Sequence, residues 1–169
     1  MKEAGFDAFL SNPIMRSELI GVMRTVLGDT RKEGQIVTRH LANDLACKGI
    51  KVLVAEDNPV NRKLMEVLLE SFGCEIRIVN NGKEALDDLK DNTYDVVLMD
   101  IQMPVMGGLE ATQAIRAGIS KELPVLGLSA SVMKEEMEKG IAAGMNDYLM
   151  KPINAKTLKE SLLKWSGRA

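Results

Sequence analysis

The sequence predicts an α/β fold in which five short parallel strands alternate with five helices covering both faces of the sheet. Three observations carry that expectation. From Lys51 onward, short apolar runs alternate with stretches of helical period. The first of these runs is continuously apolar, as a strand buried on both sides must be. Capping and breaking residues fall at the junctions.

Lys51-Val-Leu-Val-Ala55 is the first strand. Asn58 then supplies an N-cap and Pro59 a first helical position whose missing N–H costs nothing there. Val60, Leu64, Val67 and Leu68 form one apolar stripe on that helix, and Gly73 stops it. The cycle repeats with a strand at Glu75 to Val79, a helix at Lys83 to Leu89, and a strand at Asp95 to Met99 that ends on Asp100. A helix from Leu109 to Arg116, a strand from Leu123 to Leu128, a helix around Met133 to Ile141 and a short strand at Tyr148 to Met150 follow. In the closing helix Asn154 is the cap, Ile153 and Leu158 hold staple positions, and Leu158, Leu162 and Trp165 line one face. Five such units make a small flavodoxin-like doubly wound domain, which binds its ligands at the carboxyl ends of its strands.

Composition narrows the function. A formal net charge of −2 offers no basic footprint for nucleic acid. No apolar run is long enough to span a bilayer, and no cleavable signal precedes the first motif, so a cytoplasmic protein without direct membrane contact is expected. Cys47 and Cys74 lack metal or redox spacing and are expected to be small packed residues.

Acids cluster just past strand ends: Glu56 and Asp57 after the first strand, Asp100 at the end of the third. In a parallel sheet with those strands adjacent, three carboxylates meet, and they cannot all stay ionised without a cation. A hard, oxygen-preferring ion such as Mg²⁺ fits a site offering few carboxylates. Taken alone, Glu56 and Asp57 read equally as solvated loop acids. Ser129 and Lys151, however, reach the same edge from the fourth and fifth strands with a hydroxyl and a cation. Pro152 restricts the backbone of Lys151 and so holds its side chain at the strand end. A carboxylate nucleophile, an acid pair, a hydroxyl and a lysine amount to a phosphoryl-transfer site whose product is an aspartyl phosphate.

These residues resemble the response-regulator receiver domains from about Ile50 to Trp165. The markers are Val-Leu-Val-Ala-Glu-Asp-Asn at 52–58, Asp-Val-Val-Leu-Met-Asp-Ile-Gln-Met-Pro at 95–104, Leu-Ser-Ala at 128–130 and Tyr-Leu-Met-Lys-Pro at 148–152. The resemblance implies that Asp100 is the phosphoacceptor and that Asp57 binds Mg²⁺ directly. It also implies that Glu56 holds the ion through water and that the backbone carbonyl of Gln102 completes the protein ligands. Lys151 would pair with Asp100 or its phosphoryl oxygens, Ser129 would be the switch hydroxyl, and Tyr148 the aromatic that turns inward after it. The implied partners are a histidine kinase domain, a histidine phosphotransfer domain, or both. The departures are Gly107, where Asp or Asn is common, and Gly127, where Ala is common; both are expected to loosen adjoining loops without touching the chemistry. Glu56-Asp57-Asn58-Pro59 followed by Asn61 looks most like receivers fused to hybrid histidine kinases.

Residues 50–169 are thus read as the receiver, 29–49 as a linker, and 1–28 as the last strand and helix of an upstream receiver-like domain. Gly5 aligns with Gly144 and Pro13 with Pro152 without a gap, and Asn12 stands where the lysine belongs. That upstream piece can form no active site, and its helix, Ile14 to Leu27, should pack on the receiver or self-associate with a second copy. His40 is followed by Leu41 and not by an acid, which argues against a phosphodonor histidine. No kinase or output domain accompanies the receiver in this stretch, so the chain would catalyse only its own phosphorylation. Two other functions fit these residues less well. A phosphorylation-independent pseudo-receiver would have lost some of Glu56, Asp57, Asp100, Ser129 and Lys151, and none is lost. A metal-dependent phosphohydrolase would need an acid at Gln102.

Overall fold

The computed structural model describes residues 47–130 and 134–167. The expectations for the upstream piece, its helix, His40 and most of the linker lie outside the described residues. Within them the elements run β1 (Lys51–Ala55), α1 (Pro59–Ser71), β2 (Glu75–Val79), α2 (Gly82–Asp91), β3 (Val96–Asp100), α3 (Gly108–Gly118), β4 (Val125–Ser129), α4 (Lys134–Ala143), β5 (Asp147–Met150) and α5 (Ala155–Trp165). Ten elements alternate as the sequence predicts, with bounds shifted by one or two residues at most junctions. Met133, the expected start of α4, is outside the described residues.

The strands form one parallel sheet in the order β2-β1-β3-β4-β5. Val52 pairs with Ile76 on one side and Val96 on the other, so β1 is central and buried. Pleating sends alternate side chains to opposite faces, and each face has its own core. Val52, Val54, Val96, Leu98, Leu126 and Leu128 pack with Met65 and Leu69 of α1 and Leu158 and Leu162 of α5. Leu53, Ala55, Val97, Met99 and Val125 pack with Ala85 and Leu89 of α2 and Ala111 and Ile115 of α3. Cys47 and Cys74 belong to the first of these cores, as their expected packing role requires.

Local sequence explains the helix ends. The Asn58 side chain accepts hydrogen bonds from the Val60 and Asn61 amides, and Asn154 does the same for Lys156 and Thr157. Gly73 takes φ of 79°, which turns the chain so that the Cys74 amide donates to the Leu69 carbonyl and α1 ends. Of the apolar stripe read on α1, only Leu68 packs against the core. Val60, Leu64 and Val67 are 75%, 40% and 49% exposed, whereas Met65 and Leu69 are buried. The helix therefore carries two apolar faces, and the core claims the one with Met65 and Leu69.

Val105 in the β3–α3 loop has φ of 69° and is largely exposed. A β-branched residue pays steric strain in this left-handed region, where Asn sits comfortably. Val105→Asn is expected to raise unfolding stability by about 1 kcal/mol in chemical denaturation; an unchanged midpoint would show the turn to be unstrained.

Candidate functional site

The order of the sheet reverses between β1 and β3, because β1 leads outward to β2 and the chain then returns to β3 on the other side. Such a switch point opens a crevice at the strands' carboxyl ends. Glu56, Asp57, Asp100, Gln102, Ser129 and Lys151 all line this edge, whereas Tyr148 does not. The Glu56 amide donates to the Val79 carbonyl at 3.1 Å, which fixes the turn off β1. The Lys151 amide donates to the Ser129 carbonyl at 2.8 Å, which ties the end of β5 to β4, and the Lys151–Pro152 peptide is cis.

Glu56 is 1% exposed and is not a solvated loop acid. Its Oε1 accepts from the Asn58 amide at 3.2 Å and from Asn61 Nδ2 at 3.0 Å. Its Oε2 stands 2.7 Å from Lys151 Nζ, an ion-pair contact without hydrogen-bond alignment, so this buried oxygen has a charge partner but no aligned donor. Asp100 Oδ2 accepts from the same ammonium at 2.7 Å, and Oδ1 accepts from the Gln102 amide at 3.2 Å. Asp57 is exposed beside them, and carboxylate oxygens of Glu56, Asp57 and Asp100 all lie within 4.8 Å of one another. These groups line an open cleft of about 270 Å³ together with Asn58, Asn61, Gln102 and Ser129. A second concavity, of about 350 Å³ and lined by Lys51, Glu75, Arg77 and Tyr94, opens among the amino-terminal ends of β1 and β2. Its nearby charges form surface pairs such as Arg77 with Asp88, and it gathers no comparable cluster of acids.

The electrostatics follow from one cation serving several acids. Burial pushes the Asp100 carboxyl above its ordinary range, the charge of Glu56 adds to the rise, and Lys151 only partly offsets them. Burial also works against the Lys151 ammonium, but its hydrogen bond with Asp100 and its close contacts with the charges of Asp100 and Glu56 outweigh that and hold its pKa above normal. Both shifts have one meaning: the cleft is short of positive charge.

Ser129, at the end of β4, donates through Oγ to Glu136 Oε2 at 3.1 Å. Tyr148 donates through its hydroxyl to the Met137 carbonyl at 3.1 Å. Burial, and then the charge of Glu136, raise the Tyr148 phenol. The ring lies in a slot made by two glycines: a β-carbon on Gly127 would come within 2.7 Å of the ring, and one on Gly140 within 1.5 Å of the hydroxyl. Gly127 was expected only to loosen its surroundings; instead its bare backbone admits Tyr148. Gly107 is the N-cap of α3 and makes no side-chain cap bond. Asn61 and Glu136 escaped functional assignment from sequence. Asn61 falls one turn past the cap on the cleft side of α1, a spacing that could have identified it. Nothing in the sequence marks Glu136.

The donors suit a hard cation. All are oxygens, three are carboxylates, and one buried carboxylate oxygen lacks an aligned donor. This geometry, on a doubly wound sheet with its lysine and hydroxyl at the switch point, defines a receiver module of the kind built into signalling proteins. Residues 52–163 match the response regulator receiver domain, and the chain belongs to that family. It is 40% identical over 137 residues to the sensor protein GacS of Pseudomonas syringae pv. syringae, which covers 79% of this chain and 15% of that protein. The chain therefore spans only a small part of that relative's length. The receiver domain of the sensor histidine kinase PA1611 from Pseudomonas aeruginosa PAO1, solved with a magnesium ion coordinated in its active-site cleft, superposes with a TM-score of 0.67. It is 38% identical, over 70% of this chain and 98% of that one. The receiver domain of Ssk1, solved with the histidine phosphotransfer protein Ypd1 of Saccharomyces cerevisiae, gives a TM-score of 0.66 at 28% identity, covering 71% of this chain and 90% of that one.

Two outcomes follow from the geometry. A carboxyl whose pKa rises on folding binds its proton more tightly in the folded state, so its ionisation costs stability as pH climbs through the two pKa values. At neutral pH, Asp100→Asn is accordingly expected to raise the thermal midpoint by a few degrees in chelator, with the gain shrinking when Mg²⁺ stabilises the wild type. Lower stability of the variant in chelator would contradict the charge imbalance. In a helix, Gly→Ala ordinarily stabilises by about 1 kcal/mol, but Gly140→Ala should expel the Tyr148 ring. In a Tyr94→Phe background, which leaves Tyr148 as the one tyrosine, the phenol titration should then fall toward its ordinary range. An unmoved titration would place the ring elsewhere.

Proposed function

We propose that the chain is the phosphoacceptor of a two-component phosphorelay, taking a phosphoryl group from a phosphohistidine onto Asp100. The observation that carries this reading is the gathering of Glu56, Asp57 and Asp100 around one lysine in an open cleft. In the transfer, an Asp100 carboxylate oxygen attacks phosphorus, a P–O bond forms and the P–N bond breaks. The imidazole leaves with the bonding electron pair, and the product is an aspartyl phosphate.

Asp57, Glu56, Asp100 and the backbone carbonyl of Gln102 are the groups proposed to hold Mg²⁺, with Glu56 acting through water. Bound there, the ion would supply positive charge against the phosphoryl oxygens. Lys151 supplies the protein's own positive charge to the same oxygens and keeps Asp100 and Glu56 apart in role. Asn58 and Asn61 orient Glu56, and the Gln102 amide orients Asp100. Once the phosphoryl group is in place, the Ser129 hydroxyl donates to it, and Tyr148 responds to that movement at the face of α4 and β5.

The proposed partner is a histidine phosphotransfer domain or the histidine kinase domain of a parent hybrid sensor kinase. The Ypd1–Ssk1 complex supports the first. So does the exposed stripe of Val60, Leu64 and Val67, since α1 starts at the cleft rim with Asn58 and Asn61. Residues 1–28 and 29–49 are proposed as the end of an upstream receiver-like domain and a linker, on the internal alignment alone.

Incubation with acetyl phosphate and Mg²⁺ should add the mass of one phosphoryl group. The adduct should be labile to hydroxylamine, should be absent in Asp100→Asn, and should be lost when the metal is chelated. Ser129→Ala should still accept phosphate, more slowly, without the change at α4 and β5. Undiminished labelling of Asp100→Asn would disprove the acceptor, and a wild type that gains no mass would favour a phosphorylation-independent module.

A further inference from the structure

One acid in the cleft is delivered by no strand end. Glu136 lies in the first turn of α4, half-buried, and lines the cleft with Ser129, Asp100 and Lys151. Its Oε2 accepts from Ser129 Oγ at 3.1 Å. A serine hydroxyl has one proton to donate. While that proton is directed at Glu136, it is unavailable to a phosphoryl oxygen on Asp100. The same carboxylate acts on Tyr148, whose phenol it helps to keep protonated. Glu136 thus faces both residues assigned to the switch.

We propose that Glu136 is a latch: its carboxylate holds the Ser129 hydroxyl on the α4 side of the cleft in the unphosphorylated protein and must be displaced before Ser129 can engage the phosphoryl group. The inference rests on the phosphoacceptor reading of this cleft. No covalent bond changes in the latch itself; the hydroxyl keeps its proton and exchanges one acceptor for another. The exchange is driven by charge. The phosphoryl group carries about 1.5 to 2 negative charges at neutral pH where the Asp100 carboxylate carried one, in a cleft that already holds Glu56, Asp57 and Glu136. Repulsion of Glu136 and attraction of the hydroxyl act in the same direction, and the displaced residue belongs to α4. The latch therefore links the acceptor to that helix by a side chain as well as by the β4–α4 connection.

A first-turn acid is also favourable to a helix dipole, and Glu135 separates the two explanations. It occupies the same turn but is exposed and does not line the cleft. As a positioning residue, Glu136 should show most of its effect through Ser129. The test measures the initial rate of phosphoprotein formation by the full chain with acetyl phosphate and Mg²⁺, read by intact mass. Glu136→Ala should raise the rate roughly 3–10-fold, the range expected for removing a charge-assisted hydrogen bond and a repelling charge. Glu136→Gln, which keeps the shape, should give a smaller gain and carries the test if the alanine variant fails to fold. Glu135→Ala should leave the rate within about twofold. In a Ser129→Ala background, the gain from Glu136→Ala should shrink to the part that removing a repelling charge gives without the hydroxyl. A gain of equal size without Ser129, an equal gain from Glu135→Ala, or no gain at Glu136 overturns the latch while leaving the acceptor intact. A wild type that takes no phosphate removes the acceptor reading and the latch with it.

Discussion

The whole site is organised by a shortage of positive charge around Lys151. Its ammonium reaches Glu56 Oε2 and Asp100 Oδ2 at the same distance, 2.7 Å, and Asp57 lies close by without being satisfied by it. Burying such a cluster is costly, and a lone lysine repays the cost incompletely. The arrangement persists because the rest of the fold overdetermines it. Asn58 and Asn61 grip Glu56, the Gln102 amide grips Asp100, and backbone bonds pin the chain at Glu56 and Lys151. The site is a place where stability is given up to hold unneutralised negative charge, the condition on which the proposed function rests.

That overdetermination begins in the sheet. Continuous apolar runs in β1, β3 and β4 bury both faces, and two separate cores press on them from opposite sides. With register fixed along β1, β3 and β4, the residues immediately after each strand have little freedom of position. Four pieces of chain distant in sequence can then meet to within hydrogen-bond reach without any of them being tied directly to another by covalent means.

This explains how much of the molecule was legible beforehand. Strand runs, caps and breakers depend on neighbours in the sequence, so Asn58, Gly73 and Asn154 announce their roles. The strand-end acids, Ser129 and Lys151 follow once the strands are placed, because a parallel sheet puts all carboxyl ends at one edge. What sequence hides is direction. Val60, Leu64 and Val67 have the spacing of a core face, yet Met65 and Leu69 win the interior, since α1 has apolar residues on both sides and only packing against β1 decides between them. Glu136 is hidden for a related reason: it is one of several acids in α4, and only its place in the cleft lining distinguishes it from Glu135.

The Tyr148 slot has a different kind of consequence. Its walls at Gly127 and Gly140 are bare backbone, so the aromatic residue fits only because those two positions carry no β-carbon. Sequence drift at either wall would therefore act like a dimmer, with each added carbon shifting the resting pose of the phenol while leaving every reactive side chain untouched. Output strength could in this way diverge between related proteins whose reaction centres are identical.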